Sequence, residues 1–217
     1  MQRVLRNFLR FKNLGLIAAT IFLCSCQVNA VVTLDVAQSG AGSVTLNLIA
    51  DSDVVAAAPN LVDDLRFDDA TAAGWVVSRP NKTADGGLQV SLKHTFENAE
   101  QAGTLLNQLS GEFGPFKQMS LSRTGKDTDS TFTLDGILQV DGGLNAFADA
   151  QLLKTVGGAP FADNVQQAGL DLGKAMTIDF VATLPGAIER TSGIDTANTV
   201  TWRVPLDGSE QSVLTTS

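Results

Sequence analysis

Residues 31–50 read VVTLDVAQSGAGSVTLNLIA, and their alternation decides the fold class. Val32, Leu34 and Val36 share one parity, with Thr33 and Asp35 on the other. Val44, Leu46, Leu48 and Ala50 repeat the pattern after Gln38–Gly42, whose glycines supply the positive φ of a tight reversal. The expectation is two half-buried antiparallel strands joined by a hairpin.

The period-two stripe recurs along the chain. Leu88, Val90, Leu92, His94 and Phe96 carry it, paired by a short loop with a strand at Trp75–Arg79. Met119 and Leu121 mark another strand, and Phe132, Leu134, Leu138 and Val140 the next. Met176, Ile178, Phe180, Ala182 and Leu184 follow, then Val200, Trp202, Val204 and Leu206, with a last short strand near Ser212–Thr215. Both tryptophans fall on core stripes.

Helical spacing separates these strands. Asp53–Leu65 carries Val54, Val55, Ala58, Leu61, Val62 and Leu65, with Pro59 breaking or restarting the helix. A short turn at Asp68–Ala73 leads to Gly74 as C-cap. Asn98 is an N-cap for a helix bearing Ala99, Ala102, Leu105, Leu106 and Leu109 and closed by Gly111. A third helix is expected over Leu144–Leu153, ending at Gly157-Gly158, with a weak helical turn at 162–168. Asp127–Asp129 and Ser192–Asn198 read as loops, and Asn81-Lys82-Thr83 as a turn. The order is strand-strand-helix, repeated, then mainly strands over 170–217. It predicts an α+β fold: a single domain over 31–217 with an antiparallel sheet and helices packed on one face.

Residues 1–30 read as an address. Arg3, Arg6, Arg10 and Lys12 precede a short apolar run, Leu14–Leu23, and then Cys24-Ser25-Cys26. The run is too short for a transmembrane helix, and the pattern is that of an export signal. Leu23-Cys24-Ser25-Cys26 resembles the bacterial lipobox, in which a small residue precedes the lipidated cysteine. In that reading the Cys26 thiolate takes a diacylglyceryl group and becomes the first mature residue, with a signal peptide of residues 1–25 and a short lipidated tether of residues 26–30. Val28-Asn29-Ala30 is an alternative small-x-small site, at which ordinary secretory cleavage would release a soluble protein. An uncleaved signal anchor is a third reading, which the shortness of the apolar run disfavours. Two or more acyl chains hold a protein on a membrane almost permanently.

Charge excludes one class of partner. The chain of 217 residues carries 15 basic and 23 acidic residues, a net −8, so it lacks the basic footprint nucleic acid requires. Removing residues 1–25 takes four of the basic residues and no acidic one, which makes the mature domain more acidic still. His94 is the sole imidazole, on the apolar parity of its strand, and reads as a satisfied core or edge residue; no G-x-S-x-G elbow accompanies it. The cluster Asp63-Asp64 and Asp68-Asp69 reads as a solvated helix face. Asp127-x-Asp129 starts like a calcium loop but has Phe132 where the loop needs glycine and Leu138 where it needs glutamate. No catalytic residue, metal site or cofactor is expected. Phe113 and Phe116, and Phe161 in a second glycine- and proline-containing loop, are candidates for the mouth of an apolar pocket between sheet and helices; the alternative is that they plug the ends of the core.

Several motifs carry a family resemblance: the lipobox, Ala73-Gly74-Trp75-Val76-Val77, Asp85-Gly86-Gly87-Leu88, Phe113-Gly114-Pro115-Phe116, Leu184-Pro185-Gly186 and Asn198–Trp202. In their order and spacing the chain resembles the LppM-like lipoprotein domain, a family of envelope lipoproteins of high-GC Gram-positive bacteria. The resemblance implies an exported α+β domain, lipid-anchored on the extracytoplasmic face of the cell membrane, with an envelope lipid or glycolipid as ligand. Many relatives carry a C-terminal membrane helix; no such stretch occurs in this sequence, which leaves Cys26 as its tether. The expected function is a non-enzymatic binding module. The alternative is a structural or protein-interaction lipoprotein without a small ligand.

Overall fold

The computed structural model describes residues 27–57, 61–65, 67–110, 114–126, 129–141 and 176–217. The expected hairpin forms as β1 (Val28–Val36) and β2 (Gly42–Ala50), antiparallel in the register Val28↔Ala50 to Val36↔Gly42. Gly40, at φ +89°, turns the chain, and Ala37 exchanges backbone hydrogen bonds with Gly40 and Ala41. Short helices follow: α1 (Ser52–Ala57), α2 (Leu61–Asp64) and α3 (Asp68–Ala72). Pro59, expected to break or restart the helix, lies outside the described residues. Gly74, at φ +93°, ends the third, its N–H donating to Thr71 O at 3.0 Å.

Strands β3 (Val76–Val77) and β4 (Asn81–Lys82) both pair with β5 (Leu88–Phe96). Asn81-Lys82 is therefore a strand rather than the turn expected. Helix α4 (Ala99–Gln108) is capped as predicted: the Asn98 side chain accepts from Gln101 N at 3.2 Å. It ends at Leu109, before Gly111. Gly103 lets it lie directly on the next strand, for a Cβ there would come within 2.6 Å of Met119 O. The remaining strands are β6 (Phe116–Lys126), β7 (Asp129–Leu138), β8 (Met176–Thr183), β9 (Arg190–Thr191), β10 (Ile194–Thr196), β11 (Thr199–Arg203) and β12 (Gln211–Thr216). The third helix and the turn at 162–168 fall outside the described residues.

Two sheets result. The larger runs β10-β11-β8-β1-β2-β5-β3, with β4 also on β5; the smaller runs β6-β7-β12-β9. The antiparallel expectation fails at one central junction, where β1 and β8 pair in parallel from Val28↔Met176 to Asp35↔Thr183. The α+β expectation holds only in part. Short helices do lie over the apolar face of the large sheet, yet a second sheet supplies much of the cover, so the fold is richer in β than predicted. Alternation fixes which face of a strand is buried and says nothing about which strands pair. The chain between Ser192 and Asn198 is also more ordered than a loop, because it contains β10 of the large sheet and follows directly on β9 of the small one. Ser192 sits at that crossing. Its hydroxyl accepts from Trp202 Nε1 at 3.1 Å and from Leu214 N at 2.9 Å.

The core lies between the sheets. Phe180 of β8 packs edge-on against Phe116 of β6, with ring centroids 5.3 Å apart, and stacks on Trp202 of β11 at 5.5 Å. All three rings are buried.

Candidate functional site

At the β1–β2–β5 end of the large sheet the described residues do not fully cover the apolar face. The row Val28, Ala50 and Leu88 and the neighbouring pair Leu48 and Val90 form the floor of a pocket. Val54 of α1, Leu61 of α2, and Leu65 and Phe67 from the connection to α3 form its walls. Every described lining residue is apolar, and the cavity is about 150 Å³. An apolar space of roughly 150 Å³ takes a benzene-sized guest. The pocket thus suits a short stretch of a hydrocarbon chain rather than a whole lipid.

One carboxylate organises its rim. Asp51 Oδ1 accepts from Val54 N at 2.8 Å and caps α1. Asp51 Oδ2 accepts from Gln27 N at 2.6 Å, while Asp51 N donates to Gln27 O at 3.0 Å. The start of β1 and the start of α1 are fastened to the same residue. An aspartate ahead of a helical apolar pattern is the signal that would have identified this cap in the sequence.

Further along the same face of β5 the cover changes character. Leu88 and Val90 belong to the apolar pocket, Leu92 to a cleft shared with Asp69, Trp75, Gln108 and Leu109, and His94 to an adjoining cleft lined by Gln101 and Thr104. His94 is half-buried. Its Nδ1 lies 2.6 Å from Thr95 O; a carbonyl only accepts, so this nitrogen is the donor. The ring meets Trp75 edge-on at 5.4 Å. Asp68 and Asp69 are exposed at the start of α3. Among the described residues no group of three or more His, Cys, Asp or Glu side chains is placed to hold a metal ion.

Of the predicted pocket-mouth residues, Phe116 alone is among the described ones, and it does not line this pocket. Phe116 is a core residue, 3% exposed and packed on Phe180, which corrects its assignment to a mouth. The stripe of its strand carries it into the space between the sheets. Phe113, Phe161 and Cys26 lie outside the described residues. The strand itself begins at Val28, so residues 28–30, expected in a tether, belong to the sheet. No helix among the described residues is long and apolar enough to cross a membrane.

No family model matches the sequence, and no curated protein matches it. Among solved structures, the chain is similar to the NMR structure of the folded domain of LppM from Mycobacterium tuberculosis. The two are 15% identical, with 88% of this chain and 90% of that one covered and a TM-score of 0.48.

Proposed function

We propose that the chain is an exported lipoprotein, acylated at Cys26 and held on the extracytoplasmic face of the cell membrane. In this reading its domain binds one hydrocarbon chain of an envelope lipid or glycolipid and catalyses no reaction. The observation that carries the binding role is the wholly apolar pocket between β1, β2, β5 and the segment from Val54 to Phe67. The anchor draws support from the strand register. Cleavage after Ala30 would remove Val28, Asn29 and the buried Ala30 from a strand paired on both sides, whereas processing before Cys26 leaves that strand whole.

Native mass spectrometry of residues 27–217 incubated with palmitate tests the binding. The expected result is a one-to-one adduct that is lost in Val54→Trp, which fills the cavity, and retained in Ile194→Asp. A bare polypeptide mass throughout the titration refutes lipid binding. It would favour the interaction reading, for which Ile194 is the starting point: it is 74% exposed on β10, an edge strand open to a partner.

A further inference from the structure

The pocket lies beside the point where the anchor would attach. Val28 lines it, and Gln27 continues the extended pairing through its two backbone hydrogen bonds to Asp51. Cys26 is bonded to Gln27, two positions before Val28. Two residues of chain span at most about 7 Å, so whatever its conformation Cys26 is tethered within that reach of a residue that lines the pocket. A diacylglyceryl group on that thioether needs no spacer to reach the cavity.

We infer that one of the two ester-linked acyl chains on Cys26 folds back and occupies the pocket. The inference rests on the lipoprotein reading above. It makes the anchor itself the resident occupant, one that an incoming lipid must displace, and it leaves the second chain to hold the membrane. Tethering favours this arrangement, because a chain attached at the pocket's rim competes at a high effective concentration.

The test uses the acylated protein purified from membranes in detergent. Acylation leaves the mature chain without a free thiol, so a single cysteine introduced by Val54→Cys reports the pocket wall. Gln89→Cys, exposed on the other face of β5, reports shielding by the micelle. Maleimide labelling is timed before and after a lipase removes the ester-linked chains, with intact mass measured at each stage. The expected result is at least a tenfold rise in the Val54→Cys labelling rate on lipase treatment, with less than a twofold change at Gln89→Cys. Equal rates before and after, or parallel changes at both positions, overturn the inference while the lipoprotein reading stands. An intact mass showing no lipid on Cys26 refutes that reading, and the inference falls with it.

Discussion

Starting the chain at Val31 instead of Gln27 removes the end of a central strand. Val28, Asn29 and Ala30 pair with Ala50, Ile49 and Leu48 on one side and with Met176, Thr177 and Ile178 on the other. Three residues flanked on both sides contribute about six ladder hydrogen bonds, each worth about 1 kcal/mol net. Burial of Ala30 and most of Val28 adds about 2 kcal/mol. Freeing three residues from the fold returns about 1.5 kcal/mol each in conformational entropy. The shortened chain should therefore be less stable by about 3 kcal/mol. It also loses the Gln27 contacts to Asp51 and the Asn29 side chain that accepts from Thr177 Oγ1 at 2.5 Å. With a urea m-value of about 2 kcal/mol per M, the unfolding midpoint should fall by about 1.5 M. Equilibrium unfolding of residues 27–217 and 31–217, side by side, makes the comparison. Midpoints within about 0.3 M of each other would refute the reasoning and remove the structural objection to cleavage after Ala30.

Two further outcomes follow from local chemistry. Asn107 of α4 clamps the bulge in β6, donating to Met119 O and accepting from Met119 N, both at 3.1 Å, beside Gln118 at φ +54°. Asn107→Ala leaves two backbone groups without their partner and should cost about 2 kcal/mol by chemical denaturation, with the β6–β7 amides losing exchange protection first. The Asp85 carboxyl is held below its ordinary value of 3.8, chiefly by the Thr83 hydroxyl that donates to it and then by backbone N–H groups of the same turn. A depressed carboxylate contributes stability that is present above 3.8 and lost as pH falls through the lower folded value. Thr83→Ala should raise the Asp85 pKa toward 3.8, as read by NMR titration of its side chain.

The elements that were legible are those in which a local pattern and the tertiary contact agree. Alternation at Val32–Val36 and Val44–Ala50 located the first hairpin, and Asn98 before Ala99, Ala102, Leu105 and Leu106 located α4. The strands at Ile194–Thr196 and Thr199–Arg203 were harder to see as a hairpin. Their turn residues, Ala197 and Asn198, both adopt positive φ, 53° and 66°, and alanine is a poor sequence signal for such a turn. Asp195 Oδ1 stabilises it by accepting from Asn198 N at 3.1 Å. The parallel β1–β8 pairing joins residues far apart in sequence, and no periodicity encodes it. The apolar pocket was half legible. Val54, Leu61 and Leu65 were visible as a helical stripe, but a stripe does not reveal whether the face beneath it is filled.

That unfilled face gives the short helices a role in binding. Segments of six and four residues are too short to be stable alone, so α1 and α2 depend on contacts with the sheet. Where the pocket lies, part of that contact is missing, since side chains bordering a void lose the dispersion attraction of absent neighbours. A hydrocarbon chain in the cavity restores it on both sides, to Leu48, Leu88 and Val90 below and to Val54, Leu61 and Leu65 above. Ligand at one hundred times its Kd stabilises a folded domain by about 2.7 kcal/mol. Hydrogen exchange with and without palmitate should accordingly slow amides at Ser52–Ala57 and Leu61–Asp64 more than those of β6 and β7, strands of the small sheet that contribute no described residue to the pocket. If exchange at 52–57 and 61–64 does not change while palmitate is demonstrably bound, the chain sits elsewhere, and the clefts beside Trp75 and His94 become the place to look.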